Sequence, residues 1–155
     1  DCLLSRGLGD VYKRQEYFST LVQQDDSIPL FEAALAIAQD AEPNLDLAAS
    51  QAEVDTLAVK LKQRLPEDAY TLQKLRMLNH YFYNELGFSG NVNDYYNPDN
   101  SYLHRVIDTR RGIPISLAVL YMELADRSGC TGHFLSRSLP DETGGAIRPG
   151  RTGPI

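Results

Sequence analysis

LNHYFYNELGFSGNVNDYYNPDNSYLHRVIDTRRGIPISLAVLYMELADRSG, residues Leu78–Gly129, carries the reading that decides the fold. Its middle, FSGNVNDYYNPDNS (Phe88–Ser101), is a loop by composition. Gly, Asn, Asp, Pro and Ser crowd it, and each favours a turn for its own backbone reason. Asn100 or Ser101 is expected to cap a short helix carrying Leu103, Val106 and Ile107. Gly112 interrupts. Ile113–Arg127 then reads as one helix, and residues 112–122 contain no charge. Its first turns are apolar all round, the pattern of a fully buried helix. Glu123, Asp126 and Arg127 mark where it reaches water.

Working back towards the N-terminus, the periodicity stays helical. Asp68–Leu86 is expected to be one helix with Leu72, Leu75, Leu78, Phe82 and Leu86 as its main stripe. Met77 and Tyr81 form a weaker second side. Gly87 is a natural stop. Before it, Leu45–Leu65 aligns Leu47, Val54, Leu57, Ala58, Leu61 and Leu65 on one stripe. Lys60, Lys62 and Arg64 crowd its C-terminal end, where the helix dipole favours cations. Pro43-Asn44 is expected to stop the preceding helix, Pro29–Gln39, and to offer the next cap. That helix is Ala-rich and apolar on most sides, so it is expected to be buried. Glu16–Gln24 makes a short helix with Tyr17, Phe18, Leu21 and Val22 on its apolar side.

Both ends change character. Residues 1–15, DCLLSRGLGDVYKRQ, have no clean period and no initiator Met, and they look like translated adaptor or vector sequence. They are set aside from the fold. Residues 136–155 hold three prolines and four glycines and fit neither helix nor strand. They are read as a disordered or out-of-frame tail. Residues 16–135 are then the single domain.

Bulk properties narrow the function classes. The 155 residues suffice for one domain, and 43% hydrophobic residues allow a real core. A net charge of −6 argues against a nucleic-acid or acidic-membrane binder. No apolar run approaches the roughly 20 residues of a membrane span, and no signal peptide is evident. Two cysteines, Cys2 and Cys130, do not make a disulfide framework. A reducing, cytoplasmic setting is expected.

The start of the Ile113–Arg127 helix is a good place for a nucleophile. The dipole lowers a thiol pKa there, and the first N–H groups can stabilise an oxyanion. The candidates are Pro114, which has no reactive group, and Ser116, which needs a base. The plainer reading of Ser116 is a first-turn residue bonding local backbone. His133, in the strand-like phrase GHFL, is the one plausible base. His80 is expected to face solvent, and His104 sits beside Arg105 on the short helix. The histidines have no metal-ligand spacing, so no metal or other cofactor is expected. Cys130 follows the helix, where the dipole disfavours a thiolate, and reads as structural. Arg105, Arg110 and Arg111 form a basic cluster able to hold a carboxylate or phosphate. Pairing with Asp94, Asp99 and Asp108, close in sequence, is the plainer outcome.

The phrases GFSGNVNDYYNPDNSYL and RRGIPISLAVLYMELA resemble the signature of the SirB-type family of bacterial transglutaminase-like proteins. The resemblance covers about Glu16–Gly129, and GHFL looks like a later piece of the same family. It implies a mainly α chain: the helical N-terminal part of a cysteine-protease-like (transglutaminase-like) α+β core, with the sheet largely missing. In active members of the superfamily a Cys starts the central helix, a His follows on a strand and an Asp on the next. The resemblance puts Pro114 where that Cys would be, a substitution typical of the SirB-type family, and His133 at the His. No residue matches the Asp. Only Cys130, Thr131 and Gly132 separate the helix from His133, shorter than the family's connection, which points to a deletion or frame error between Gly129 and Gly132 in a truncated copy. The family signature falls on Asn91, Asn93, Asp94, Tyr95, Tyr96, Asn97, Asp99, Asn100, Ser101, Arg110, Arg111 and Gly112.

Three functions compete. The first is a non-catalytic domain binding a protein or peptide through the Asn91–Ser101 loop. The second is a hydrolase or acyl-transferase using Ser116 and His133. The third, a regulatory nucleic-acid binder, is prompted by the family's name and the three arginines and is opposed by the acidic balance. The expected partner is a protein or peptide, with neither nucleic acid nor membrane.

Overall fold

A computed structural model of the chain describes residues 2–23 and 28–130. It is mainly α, as the periodicity predicts. The helices are α1 (Cys2–Val22), α2 (Leu30–Ala41), α3 (Leu47–Lys62), α4 (Thr71–Asn79), α5 (Leu103–Thr109) and α6 (Pro114–Arg127). A π-helical turn, His80–Glu85, extends α4, and a 3-10 turn, Pro98–Ser101, precedes α5. Two short strands, β1 (Ser89–Gly90) and β2 (Arg111–Gly112), pair in parallel, Ser89 with Arg111 and Gly90 with Gly112. His133 and the tail from 136 to 155 lie outside the described residues.

One core joins α2 to α6. Phe31 and Leu35 of α2 meet Val54, Leu57 and Leu61 of α3, Leu78 and Phe82 of the α4 extension, and Leu120 and Leu124 of α6. Burying each such side chain contributes about 1.5–3 kcal/mol. Phe82 stacks on Phe88 with ring centroids 4.5 Å apart and meets Tyr121 edge-on at 5.3 Å. The Tyr81 hydroxyl donates to the Leu57 carbonyl over 3.1 Å, which satisfies its one polar atom inside the core. Helix α1 packs against α2 but places none of its described side chains in this core.

Several local expectations are corrected. The first helix does not begin at Glu16: it runs unbroken from Cys2, across the boundary drawn at residue 15. Helix α3 is capped by Asp46, whose carboxylate accepts from the Ala49 N–H at 3.1 Å, while Pro43-Asn44 form only the turn before it. Asn100 and Ser101 do not cap α5; they belong to the 3-10 turn, which Asn97 caps by accepting from the Asp99 N–H. The expected Asp68–Leu86 helix starts at Thr71 and widens into the π turn after Asn79, where the Leu86 N–H bonds back to the Tyr81 carbonyl. Leu72, expected in its stripe, is 51% exposed.

Helix α6 is not buried all round. Ser116, Leu120, Leu124 and Ala125 face the core. Pro114, Ile115, Ala118 and Met122 are exposed, Ile115 by 69%. An all-apolar helix calls for neighbours on every side, and the described elements supply them on one.

Candidate functional site

The loop after β1 is organised by one side chain. Asn100 is 3% exposed. Its amide Nδ2 donates to the carbonyls of Asp94 (2.7 Å) and Tyr95 (3.0 Å), and its Oδ1 accepts from Asn91 Nδ2 at 3.0 Å. Asparagine offers donors and an acceptor on one short arm, so it can replace the ladder bonds that this loop backbone lacks. A second tie lies outside it: Asn97 Nδ2 donates to the Asp94 carboxylate at 2.8 Å. Four of the signature residues, Asn91, Asp94, Asn97 and Asn100, are therefore joined by hydrogen bonds. Asn93, Tyr95, Tyr96, Asp99 and Ser101 lie on the outside, with Tyr96 93% and Tyr95 53% exposed.

The same asparagine holds the start of α6. Its backbone carbonyl accepts from Ser116 Oγ at 2.6 Å and from the Ile113 N–H at 3.3 Å. Ser116 Oγ in turn accepts from the Ile113 N–H at 3.1 Å, the reach-back contact of a third-position residue that satisfies a helix-start donor. Pro114 fills the first helical position, where its missing N–H leaves no bond unmade. The Asn91 N–H donates to the Gly112 carbonyl, fastening the loop's entry to the same strand. Gly112 has to be glycine for space: a Cβ there would sit 2.7 Å from Ser116 Oγ and about 3.0 Å from the Val106 methyls.

Ser116 is thus buried, and no histidine or carboxylate among the described residues hydrogen-bonds to it. The structure brings Ser116, Gly112 and Asn100 together and leaves Pro114 exposed beside them. His133, the expected base, lies outside the described residues. Among the described residues no group of three or more His, Cys, Asp or Glu could hold a metal ion.

The arginines are paired, but not with the acids near them in sequence. Arg105 and Arg110 reach across to Glu42 (3.5 Å) and Glu53 (3.4 Å). Arg110 also lies over the Phe88 ring, 4.7 Å from its centroid. It adopts a left-handed conformation (φ 60°), which ends α5 and turns the chain into β2. Arg111 bonds the Ser89 hydroxyl and the Gly87 carbonyl, bracing the strand pair. Sequence separation misled here because α5 packs on α2, whose C-terminal end presents Glu42.

Two groups escaped the sequence reading. His104 is 6% exposed and its Nε2 lies 2.6 Å from Glu42 Oε2, tying α5 to the end of α2. The signal was its place three residues before Ile107, on the edge of the apolar stripe. Arg127, expected to mark where α6 reaches water, instead has a side chain only 18% exposed and holds the far end of α6 to its neighbours. It bonds Glu123 at 2.6 Å, Asp55 at 2.7 Å and the Gln51 carbonyl at 3.3 Å, and lies over Phe31. Burial pushes the Glu123 carboxyl up from its ordinary pKa, with Arg127 pulling the other way. Cys130 is a free thiol, 1% exposed, against Ser128.

The sequence of this chain belongs to a known class of domain. The chain is a member of the transglutaminase-like superfamily, whose family model matches residues 48–136. Among curated proteins it is similar to a UPF0162 protein of Xylella fastidiosa, 39% identical over 127 residues, covering 77% of this chain and 45% of that protein. It is also similar to human F-box only protein 21, 32% identical over 146 residues, covering 76% of this chain and 23% of that one. A Vibrio cholerae UPF0162 protein is 29% identical over 104 residues, covering 67% and 38%. The chain spans less than half the length of these relatives. No solved structure matches.

Proposed function

We propose that this chain is the helical part of a non-catalytic, SirB-type transglutaminase-like domain that binds a protein or peptide through its Asn91–Ser101 loop. One observation carries the reading: the start of α6 holds Pro114, and the Ser116 hydroxyl beside it is buried and donates to the Asn100 carbonyl. A serine nucleophile hands its proton to a base. A backbone carbonyl is not one, and the contact serves to anchor the loop. The alternative, a hydrolase or acyl-transferase using Ser116 and His133, requires that anchor to break.

The outer side of the loop suits a binding role. Tyr96 (93%), Val92 (85%) and Tyr95 (53%) stand out in water, and tyrosines supply large contact area at small entropic cost. Rigid support from Asn100 lowers the ordering cost of association. Similarity to parts of both bacterial UPF0162 proteins and an F-box only protein fits a domain reused in different chains. The buried free thiol Cys130 agrees with a reducing cytoplasm, and no helix among the described residues is long and apolar enough to cross a membrane. Residues 1–15 are read as foreign sequence on their composition, and Val11 and Arg14 are half-buried where α1 packs on α2.

The test is site-specific capture. A photo-crosslinking residue in place of Tyr96 is expected to trap a discrete partner, and the same residue in place of Tyr70, 61% exposed, is not. Equal yields from the two positions would overturn the loop as the binding surface.

A further inference from the structure

The π turn at His80–Glu85 has no part in the loop–helix lock. Such turns are rare and occur mostly as single turns within α-helices, often at functional sites. This one lines a pocket of about 280 Å³ between the end of α3 and the α4 extension. That volume is just under the roughly 300 Å³ at which small-molecule sites begin.

The pocket has an apolar floor and a cationic rim. Leu61 and Tyr81, 1% and 3% exposed, form the floor with half-buried Met77. Arg64, Arg76 and His80 stand at the rim with Glu85. Arg64 is already engaged, paired to Glu85 and lying over the Tyr81 ring at 5.4 Å. His80 Nε2 is 3.8 Å from Glu85 Oε1, too far for a hydrogen bond. The Arg76 guanidinium makes no ion pair or hydrogen bond among the described residues. In a chain of net charge −6, this rim carries two arginines against one carboxylate.

The π turn is what assembles the rim. Residues five apart in an α-helix point well away from each other, whereas three or four apart share a face. The i→i+5 bonding of a π turn stacks residues five apart, bringing His80 over Glu85. Arg76, four residues before His80, joins them through ordinary α-helical spacing. A regular helix over the same residues would turn Glu85 away from His80, five residues before it.

We propose that this pocket binds a small carboxylate with an apolar body, its anionic end on Arg76 and its body over Leu61, Met77 and Tyr81. Arginine suits that end because its planar fork matches a carboxylate in two parallel hydrogen bonds. Arg64 is tied to Glu85 through Nη1, whereas the whole guanidinium fork of Arg76 is unbonded among the described residues, so a single anionic group is accommodated there. The apolar floor disfavours a fully hydrated ion such as phosphate.

The experiment is a titration of the 155-residue chain with hexanoate, hexanamide and inorganic phosphate, followed by backbone and methyl NMR, and repeated on Arg76→Gln. Arg76 is exposed, and circular dichroism melting checks that the variant folds as the parent does. The expected result is saturable shifts with hexanoate at Gln73, Met77 and His80, and about tenfold weaker binding in Arg76→Gln. Hexanamide and phosphate are expected to bind at least as weakly as hexanoate does to the variant. Three results would overturn the proposal: no saturable shift with hexanoate, equal binding by hexanamide or phosphate, or unchanged affinity in Arg76→Gln. The site shares no residue with the Asn91–Ser101 loop, so its failure leaves the proposed loop function standing.

Discussion

The two ends of α6 are fastened by different physics. At the N-terminal end, neutral hydrogen bonds converge on a buried asparagine and serine, packed so closely that Gly112 has no room for a methyl group. At the C-terminal end, Arg127 reaches three acidic side chains on three helices: Glu123, Asp55 and, at 3.7 Å, Glu32. A buried neutral network is intolerant of shape change and indifferent to salt. An ion cluster tolerates small displacements, and its exposed members are screened. The end at which the resemblance puts the nucleophile is the one held by the neutral network.

The comparison breaks most sharply at Gly112. Gly112→Val drives side-chain atoms into Ser116 Oγ and Val106, and we expect a loss of about 3 kcal/mol in denaturant unfolding. A loss under about 0.5 kcal/mol would mean the packing at this end is loose. Arg127→Ala comes next. It leaves half-buried Glu123 without its partner, and about 2 kcal/mol should be lost. Part of that loss should vanish in molar salt, because the 63%-exposed Asp55 contributes little once screened. A salt-independent loss would assign the effect to the Phe31 contact instead. Ser116→Ala removes one buried hydroxyl bond and should cost about 1 kcal/mol, unchanged by salt.

Much of the fold was legible in the sequence, because apolar stripes at helical spacing report directly on burial. Val54, Leu57, Ala58 and Leu61 share one face by their spacing, and all are buried. Caps were less legible. Asn100 looked like a helix cap because asparagine favours that position, yet its side chain turns back to the Asp94 and Tyr95 carbonyls. Tertiary demand outweighed local preference. The arginine partners were illegible for a similar reason: Glu42 and Glu53 are distant in sequence and come near only through helix packing. The π turn left no periodic signature, since Phe82 fits an α-helical stripe equally well. For α6, composition could say that the helix is apolar all round, but not which neighbours are there to cover it.

In the proposed function the Ser116 hydroxyl is an anchor and not a nucleophile. The most direct measurement is labelling of the 155-residue chain with a fluorophosphonate serine probe under native conditions, with adducts located by mass spectrometry. We expect no adduct on the Ser116 peptide while the chain is folded. A stoichiometric adduct on Ser116 would contradict it.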